Sequence, residues 1–149
     1  MVNVSWYEAE AYCRWLSSLQ RRFELRLPRE EERLAAATAA VGKFPWGAAE
    51  PDGERANFAV QVGSPSPVGA YPLGVGPYGH ADLSGNVWEW CADVLRGERE
   101  HPSTEARPLH GGAWRSPADA LWSTSRKRSE PGNRDSFVGF RLCAAQRRD

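Results

Sequence analysis

The N-terminal residues carry the pattern of an amphipathic helix. Ser5 and Glu8 have the spacing of a capping box, in which a hydroxyl and a carboxylate bond backbone amides that a helix start leaves free. Apolar residues then recur at intervals of three and four, which places them on one helix face. These residues are Ala9, Tyr12, Cys13 and Leu16. The pattern predicts a helix from about Trp6 to Leu19.

A short strand and a second helix are predicted next. Apolar residues alternate with charged ones at Phe23, Leu25 and Leu27, as in a half-buried strand. Pro28 and the acidic triplet 30–32 precede an alanine-rich run to Ala40, which Gly42 ends. Proline in the first turn and carboxylates near the positive end of the helix dipole are helix-start signals. We therefore expect a second helix from about Pro28 to Ala40.

The rest of the chain is predicted to be mostly irregular. Residues 44–78 are dense in Pro and Gly turns. Such a stretch inside a compact domain is usually functional, or is held by ions and aromatic side chains. Strand-like patterns return at 87–94 and 137–143, and the charged segment 97–107 is predicted to be a surface loop.

Composition narrows the classes of function. The 149 residues fit one domain that can bury a core, so we assign 1–149 to a single domain. Lys+Arg and Asp+Glu both number 19 and no basic run is present, which disfavours a nucleic-acid partner. No window reaches the roughly 18 apolar residues of a membrane span. Cytoplasmic and surface-displayed locations both stay open.

Aromatic residues and cysteines say more about the fold. Seven Trp beside 14 Gly and 11 Pro indicate a loop-rich fold held by aromatic anchors, because a buried Trp needs a partner for its indole N–H. Cys13, Cys91 and Cys143 are too few and too scattered for a disulfide framework, and we predict that they are small buried residues.

Several sequence phrases occur in a fixed order along the chain. The most specific are Gly-Asn-Val-Trp-Glu-Trp at 85–90, Gly-Gly-Ala-Trp at 111–114 and Gly-Phe-Arg at 139–141. Others are Leu-Arg-Leu-Pro at 25–28, Phe-Pro-Trp-Gly at 44–47 and Ala-Asn-Phe at 56–58. This series resembles the formylglycine-generating enzyme (sulfatase-modifying factor) superfamily.

The resemblance implies an α+β, C-type-lectin-like fold with two helices, short strands and extensive irregular loops. It spans nearly the whole chain, and it also implies that the N-terminal part of the usual family domain is missing. Arg33 and Ala35 stand where the resemblance implies aromatic residues, and His80 and Ala81 replace a Leu-Tyr pair. These departures put local packing in question, not the fold.

The chain lacks the residues that the enzyme chemistry implied by the resemblance would need. The named enzyme oxidises a substrate cysteine with two of its own cysteines, which bind copper, and thiolates are soft ligands suited to Cu(I). No cysteine lies between Gly112 and Gly139. A second branch resembles iron-dependent sulfoxide synthases with a three-histidine site. His80, His101 and His110 lack ligand-like spacing and are predicted to be ordinary loop residues. We therefore expect no catalysis and no required cofactor.

Binding is the predicted function. Within 111–141, small, polar or aromatic residues alternate with residues that match the family frame. The frame residues are Gly111, Gly112, Trp114, Leu121, Ser123, Arg126, Pro131, Arg134, Gly139, Phe140 and Arg141. Adaptable polar groups around aromatic anchors are a common composition of recognition surfaces. We predict that segment 114–137 binds a protein or other macromolecular ligand. The predicted contact residues are Arg115, Ser116, Asp119, Trp122, Thr124, Lys127, Ser129, Glu130, Asp135, Ser136 and Phe137.

The alternation of frame and surface residues resembles the variable proteins of diversity-generating retroelements. In those proteins, adenine-directed mutagenesis rewrites selected codons of a C-terminal lectin-fold segment. Trp122 and Thr124 stand where relatives commonly carry Arg and Ala, which fits diversification. Two other interpretations stay open: an undiversified binding or regulatory domain, and a metal-dependent oxidase of the superfamily.

The resemblance also implies a calcium site. Asn86 and Glu89, with the Val87 carbonyl between them, match one superfamily site residue by residue, and such oxygen ligands suit calcium. The alternative is that Asn86 serves a turn while Glu89 bonds backbone or Arg141. A second superfamily site begins at an Asn–apolar pair matched by 57–58, without clear counterparts for its distal ligands. Calcium is therefore predicted as an optional cofactor at Asn86.

The Trp88-Glu89-Trp90 triplet predicts different roles for its two indole side chains. Because side chains alternate along a strand, one indole should face the core while the other supports the 111–141 frame. Replacing either with Ala should cost about 3–5 kcal/mol of unfolding free energy.

Overall fold

The computed structural model describes residues 1–38, 41–95 and 106–147. Its first helix, α1, spans Trp6–Ser18 and begins with the predicted capping box. The Ser5 amide donates to Glu8 Oε2 at 2.8 Å, and the Glu8 amide donates to Ser5 Oγ at 3.3 Å. Ala9 and Cys13 lie on its buried face. The prediction for this helix is confirmed, with the end one residue early.

A two-stranded sheet pairs the residues after α1 with residues near the C-terminus. Strand β1, Phe23–Arg26, is confirmed as predicted and pairs antiparallel with a strand that closes the chain at Cys143–Gln146. The predicted strand at 137–143 is wrong as one element. It divides into Val138–Gly139 in the larger sheet and Cys143–Gln146 in the smaller one, because the residues between them leave both ladders.

The second helix, α2, spans Glu30–Ala37 and is shorter than predicted. Arg29 is its N-cap residue, so Pro28 precedes the helix instead of lying in its first turn as predicted. The Arg29 amide donates to Glu32 Oε2 at 2.8 Å. Thr38 ends the helix in an extended conformation. The predicted continuation to Ala40 lies outside the described residues.

A four-stranded sheet forms the centre of the fold. Its strands are β2 (Trp88–Trp90), β3 (Arg107–His110), β4 (Arg126–Ser129) and β5 (Val138–Gly139), and the strand at 143–146 is β6. The order is β4-β3-β2-β5, with β2 and β5 parallel and the other neighbours antiparallel.

Sequence patterns missed two strands of this sheet. The predicted strand at 87–94 shrinks to β2, and no strand was predicted at β3 or β4. Of the predicted loop 97–107, positions up to 105 lie outside the described residues. Ala106 bridges Leu95 and Arg107 begins β3.

The core lies between α1 and the four-stranded sheet. Trp90 is fully buried and its indole N–H donates to the Val4 carbonyl at 3.0 Å. Trp88 packs in the same buried cluster and also lines a cleft together with residues of segment 114–137. The predicted division between the two indoles is therefore wrong: both lie in the core, because side chains two positions apart on a strand point to the same face. Cys13 and Cys91 are buried as predicted, whereas Cys143 is only half-buried.

Residues 41–78 are irregular, as predicted, apart from a 3₁₀ turn at Pro72–Gly74. A second apolar cluster holds this stretch against the C-terminal segment; its members are Phe44, Ala56, Phe58 and Leu121, with Trp46 packed against it. The Phe44 and Trp46 rings stack 5.2 Å apart. No helix among the described residues is long and apolar enough to cross a membrane. The predicted α+β architecture is therefore confirmed.

Candidate functional site

The segment from Gly111 starts with two glycines, at positions where no other residue fits. Gly111 and Gly112 have φ values of +101° and +73°. A Cβ on Gly111 would lie 2.9 Å from the Leu83 carbonyl oxygen, and one on Gly112 would lie 2.8 Å from the Ala120 oxygen. Such contacts are too close for any side chain, so these positions fix how the segment leaves β3.

Two frame residues in the middle of this segment bond to the region of α2. The Ser123 amide donates to the Lys43 carbonyl at 2.7 Å, and its hydroxyl donates to the Ala37 carbonyl at 2.7 Å. Arg126 pairs with Glu30, with Nε 2.6 Å from Oε1. Each bond ties the middle of the segment to α2 or to the loop after it.

The N-terminal helix anchors the far end of the segment. Arg134 donates two hydrogen bonds of 2.9 Å to the Glu8 carboxylate, and the Trp6 amide donates to the Pro131 carbonyl at 3.0 Å. Hydrogen bonds from Arg134 and from Ser5 lower the Glu8 pKa to about 2. The Glu8 carboxylate therefore serves both the capping box and the frame.

Glu89 lies at the centre of the structure between two guanidinium groups. Arg33 Nε donates to Glu89 Oε2 at 2.7 Å, while Arg141 donates from Nε to Oε2 at 2.8 Å and from Nη2 to Oε1 at 2.7 Å. Arg33 is only 2% exposed and also donates to the Leu83 carbonyl at 2.6 Å. Burial by itself would raise the Glu89 pKa, but Arg141 and Arg33 outweigh it and hold the pKa below its ordinary value.

This arrangement does not fit a calcium ion at Glu89. Both carboxylate oxygens already accept from guanidinium groups, and two positive charges stand where a cation would have to sit. The Asn86 side-chain oxygen accepts from the Ser66 amide at 3.0 Å, so the amide holds a loop. The alternative considered from the sequence, a turn amide and an arginine-paired carboxylate, matches these contacts.

The second superfamily position keeps one unused oxygen. Asn57 is buried, its Nδ2 donates to the Ser64 carbonyl at 2.8 Å, and its Oδ1 has no partner among the described residues. One amide oxygen is not a ligand set for calcium. No group of three or more His, Cys, Asp or Glu side chains within 1–38, 41–95 and 106–147 could hold a metal ion.

The cysteines and histidines that the structure describes differ in burial and in contacts. Burial raises the pKa of Cys13 to about 11 and that of Cys91 to about 12, so both are thiols at neutral pH. His80 is exposed, whereas His110 is buried in β3 with Nε2 2.8 Å from Glu30 Oε1. The expectation of a loop residue is wrong for His110, and His101 lies outside the described residues.

Two of the predicted contact residues place positive charges against the aromatic ring of a third. The Arg115 guanidinium carbon lies 5.0 Å from the Phe137 ring centroid, and Lys127 Nζ lies 5.2 Å from it. Trp122 is 41% exposed, and Lys43 Nζ lies 5.1 Å from its ring. Lys43 was missed from the sequence, because it lies far from this segment along the chain and has no motif around it.

The other predicted contact residues differ in exposure. Asp119, Thr124 and Ser136 are exposed, while Ser129, Glu130 and Asp135 are half-buried. Ser116 is the exception: it is buried, and its hydroxyl accepts from the Ala113 amide at 3.0 Å. Its side chain supports the frame, which corrects its placement in the predicted contact set.

Two shallow clefts flank Lys127. One, of about 330 Å³, is lined by Trp88, Asp119, Ala120, Ser125, Arg126 and Lys127. The other, of about 300 Å³, is lined by Ala106, Lys127, Arg128, Ser129, Glu130, Asn133 and Asp135. Lys127 lines both clefts, and its strand β4 is an outer strand of the sheet.

Comparison with known proteins matches this fold and its frame. The sulfatase-modifying factor enzyme 1-like domain model matches residues 1–146. The hercynine oxygenase of Mycolicibacterium smegmatis is 34% identical over 94% of this chain and 36% of its own length. The inactive Cα-formylglycine-generating enzyme 2 of Bos taurus is 33% identical over 97% of this chain and 50% of its own length. This chain therefore spans from about a third to a half of these two relatives.

A solved variable protein is also similar. Treponema denticola variable protein 1 superposes with a TM-score of 0.80 at 26% identity, over 99% of this chain and 71% of that one. With a match over nearly its whole length, the chain belongs to the sulfatase-modifying factor enzyme 1-like family.

Proposed function

We propose that this domain binds a macromolecular ligand through the exposed side chains of segment 114–137. One observation carries the proposal: most residues that match the family frame are buried or bonded to other parts of the fold, while most residues between them are exposed. Leu121 and Ser123 are buried, whereas Trp122 between them and Thr124 after them are exposed. A surface built in this way can change its side chains without disturbing its support.

The anchored frame also favours affinity. A ligand that meets side chains on a fixed backbone loses less conformational entropy on binding than one that must order a loop. Trp122 and Phe137 would supply the apolar contact area, because aromatic residues with few rotatable bonds dominate binding hot spots. Arg115, Lys127 and Glu130 would then set charge complementarity and association rate.

We further propose that this surface is diversified, as in retroelement variable proteins. The similarity to the Treponema denticola variable protein supports this proposal at the level of the fold. An undiversified binding domain would use the same frame with a fixed set of contact residues. The two differ in the genetic locus, not in the folded domain, so the locus decides between them.

A family oxidase is the second candidate function, because one group of relatives are hercynine oxygenases. Another relative carries the word inactive in its name, so family membership does not decide catalysis. The metal content of the purified protein separates the candidates. Stoichiometric copper or iron, measured by elemental analysis after metal loading, would favour the oxidase.

Two display libraries test the binding proposal. One randomises exposed positions such as Trp122, Thr124 and Lys127; the matched control randomises the frame positions Leu121 and Ser123. Surviving protease at the cell surface reports folding. We expect most surface variants and few frame variants to survive.

The same surface library is then selected against two unrelated purified proteins, serum albumin and streptavidin. A binding surface should yield clones specific for each target. If no clone binds either target, or if the frame library survives equally well, the segment is not an adaptable surface on a fixed frame.

A further inference from the structure

Two positive side chains contact the ring of Phe137. Arg115 and Lys127 contact its ring at 5.0 and 5.2 Å, so their charges are separated by no more than the sum of those two distances. Neither makes an ion pair with a carboxylate among the described residues. Elsewhere in the domain, arginines of the frame reach carboxylates, as Arg134 reaches Glu8.

The two cations converge because the face of an aromatic ring attracts positive charge. Their own charges repel, and at a surface this repulsion is screened by water but not removed. A carboxylate that enters between them relieves the repulsion and gains a donor from each. The guanidinium offers a planar pair of donors that matches a carboxylate, and the ammonium offers a point charge.

Nearby acidic residues limit where such a group can sit. Asp119 lines one cleft beside Lys127, and Asp135 and Glu130 line the other. Carboxylates in both clefts repel a ligand carboxylate there, and the negative face of the ring repels it too, so the favourable position is at the edge of the Phe137 ring within reach of both cations. An apolar group next to the ligand carboxylate would then contact the Phe137 ring.

We propose that Arg115, Phe137 and Lys127 form a carboxylate-binding subsite of the recognition surface. This proposal rests on the proposed binding function and names the ligand class: a protein segment that carries a carboxylate beside an apolar residue. The carboxylate could belong to an acidic side chain or to a chain terminus. Both have the chemistry that the subsite recognises, and peptide probes distinguish them.

Three peptides of equal length serve as probes. The first is Ac-Leu-Glu-Leu-amide, the second is Ac-Leu-Gln-Leu with a free C-terminal carboxylate, and the third is the neutral Ac-Leu-Gln-Leu-amide. Each is titrated into isotope-labelled protein, and the amide signals of 115, 127 and 137 are followed by NMR. We expect one or both acidic peptides to shift these signals saturably. Each cation should lower the dissociation constant of the acidic peptide about fivefold relative to that of the neutral peptide.

Matched variants make the assignment specific. Lys127→Gln and Arg115→Gln should each weaken the acidic peptide about fivefold, whereas Lys127→Arg keeps the charge and should keep binding. The control is Arg22→Gln, because Arg22 lies 5.1 Å from the Phe23 ring centroid and so removes a similar contact elsewhere. A thermal melt of each variant shows that it is folded.

Equal shifts by all three peptides, or equal loss with Arg22→Gln, would overturn the subsite. Shifts that inorganic phosphate reproduces at the same concentration would also overturn it, because they would reflect charge screening alone. Such a failure leaves the binding proposal intact, since the display libraries test that proposal without any assumption about ligand charge.

Discussion

Replacing Glu89 with Gln probes the charge cluster on which the frame depends. The substitution keeps the size and shape of the side chain but removes its charge. It leaves the guanidinium groups of Arg33 and Arg141 near each other without a counter-charge. The side chain of Arg33 is 1% exposed and that of Arg141 is 24% exposed, so most of the cost comes from Arg33.

The magnitude follows from this burial. Removing one partner of a buried ion pair costs about 3–5 kcal/mol, and solvent around Arg141 places the expected loss at the lower end, about 3 kcal/mol. For a domain of this size, that loss lowers the melting temperature by about 6–12 °C. Urea unfolding followed by tryptophan fluorescence measures the free energy, and calorimetry measures the melting temperature.

Acid adds a second readout with a definite sign. The Glu89 pKa in the folded protein is lowered below its unfolded value. The stability that it contributes is present above the unfolded pKa of about 4.3 and is lost as pH falls through the folded pKa. Wild-type stability should therefore decline in this acidic range, and the Gln variant should lack that part of the decline.

The control is Glu10→Gln, which breaks the exposed Glu10–Arg14 pair in α1. Exposed pairs of this kind contribute less than about 1 kcal/mol, so its stability should stay close to wild type. If Glu89→Gln also stays within about 1 kcal/mol of wild type, the Arg33–Glu89–Arg141 cluster does not hold the fold as argued here.

Three further predictions concern the core, the frame and the metal. Trp90→Ala should cost about 3–5 kcal/mol in urea unfolding, because it empties a fully buried site and removes the bond to Val4; normal stability would mean that the core is misplaced. Gly111→Ala should destabilise more than Gly63→Ala in the same assay, since both have positive φ but only Gly111 meets backbone and a guanidinium; equal effects would contradict the close packing. Chelation with EGTA should leave the melting temperature unchanged, because guanidinium groups satisfy Glu89; a clear drop reversed by calcium would show that a cation contributes.

Local signals explain what could be predicted from the sequence. Helix α1 was predicted because its capping box and apolar spacing are both local, and β1 was predicted from its alternation. Strands β3 and β4 have no such signal. The four residues of β4 are Arg-Lys-Arg-Ser, and they form a strand only because β3 offers them backbone partners.

The candidate site shows the same division. The frame and its exposed neighbours could be predicted, because the phrase from Gly111 to Arg141 is specific and its polar residues stand out. Contacts between distant positions could not. Arg33 was seen only as a departure from an aromatic position, yet it is a fully buried partner of Glu89, which lies far along the chain.

Side-chain placement at the surface was also out of reach of the sequence. The pairing of Lys43 with Trp122 depends on how the loop after α2 returns to segment 114–137. Ser116 has the composition of a surface residue, but the turn that follows Ala113 directs its hydroxyl inward. Both outcomes depend on the tertiary path of the chain.

We propose that segment 114–137 is a diversified recognition surface on a fixed frame, and sequencing the source locus in many independent isolates tests this proposal most directly. We expect a near-identical template repeat beside a reverse transcriptase gene. We also expect substitutions concentrated at exposed positions such as Trp122, Thr124 and Lys127, with Leu121, Ser123 and Arg126 unchanged. Substitutions spread evenly over frame and surface codons, with no template repeat and no reverse transcriptase gene, would contradict it.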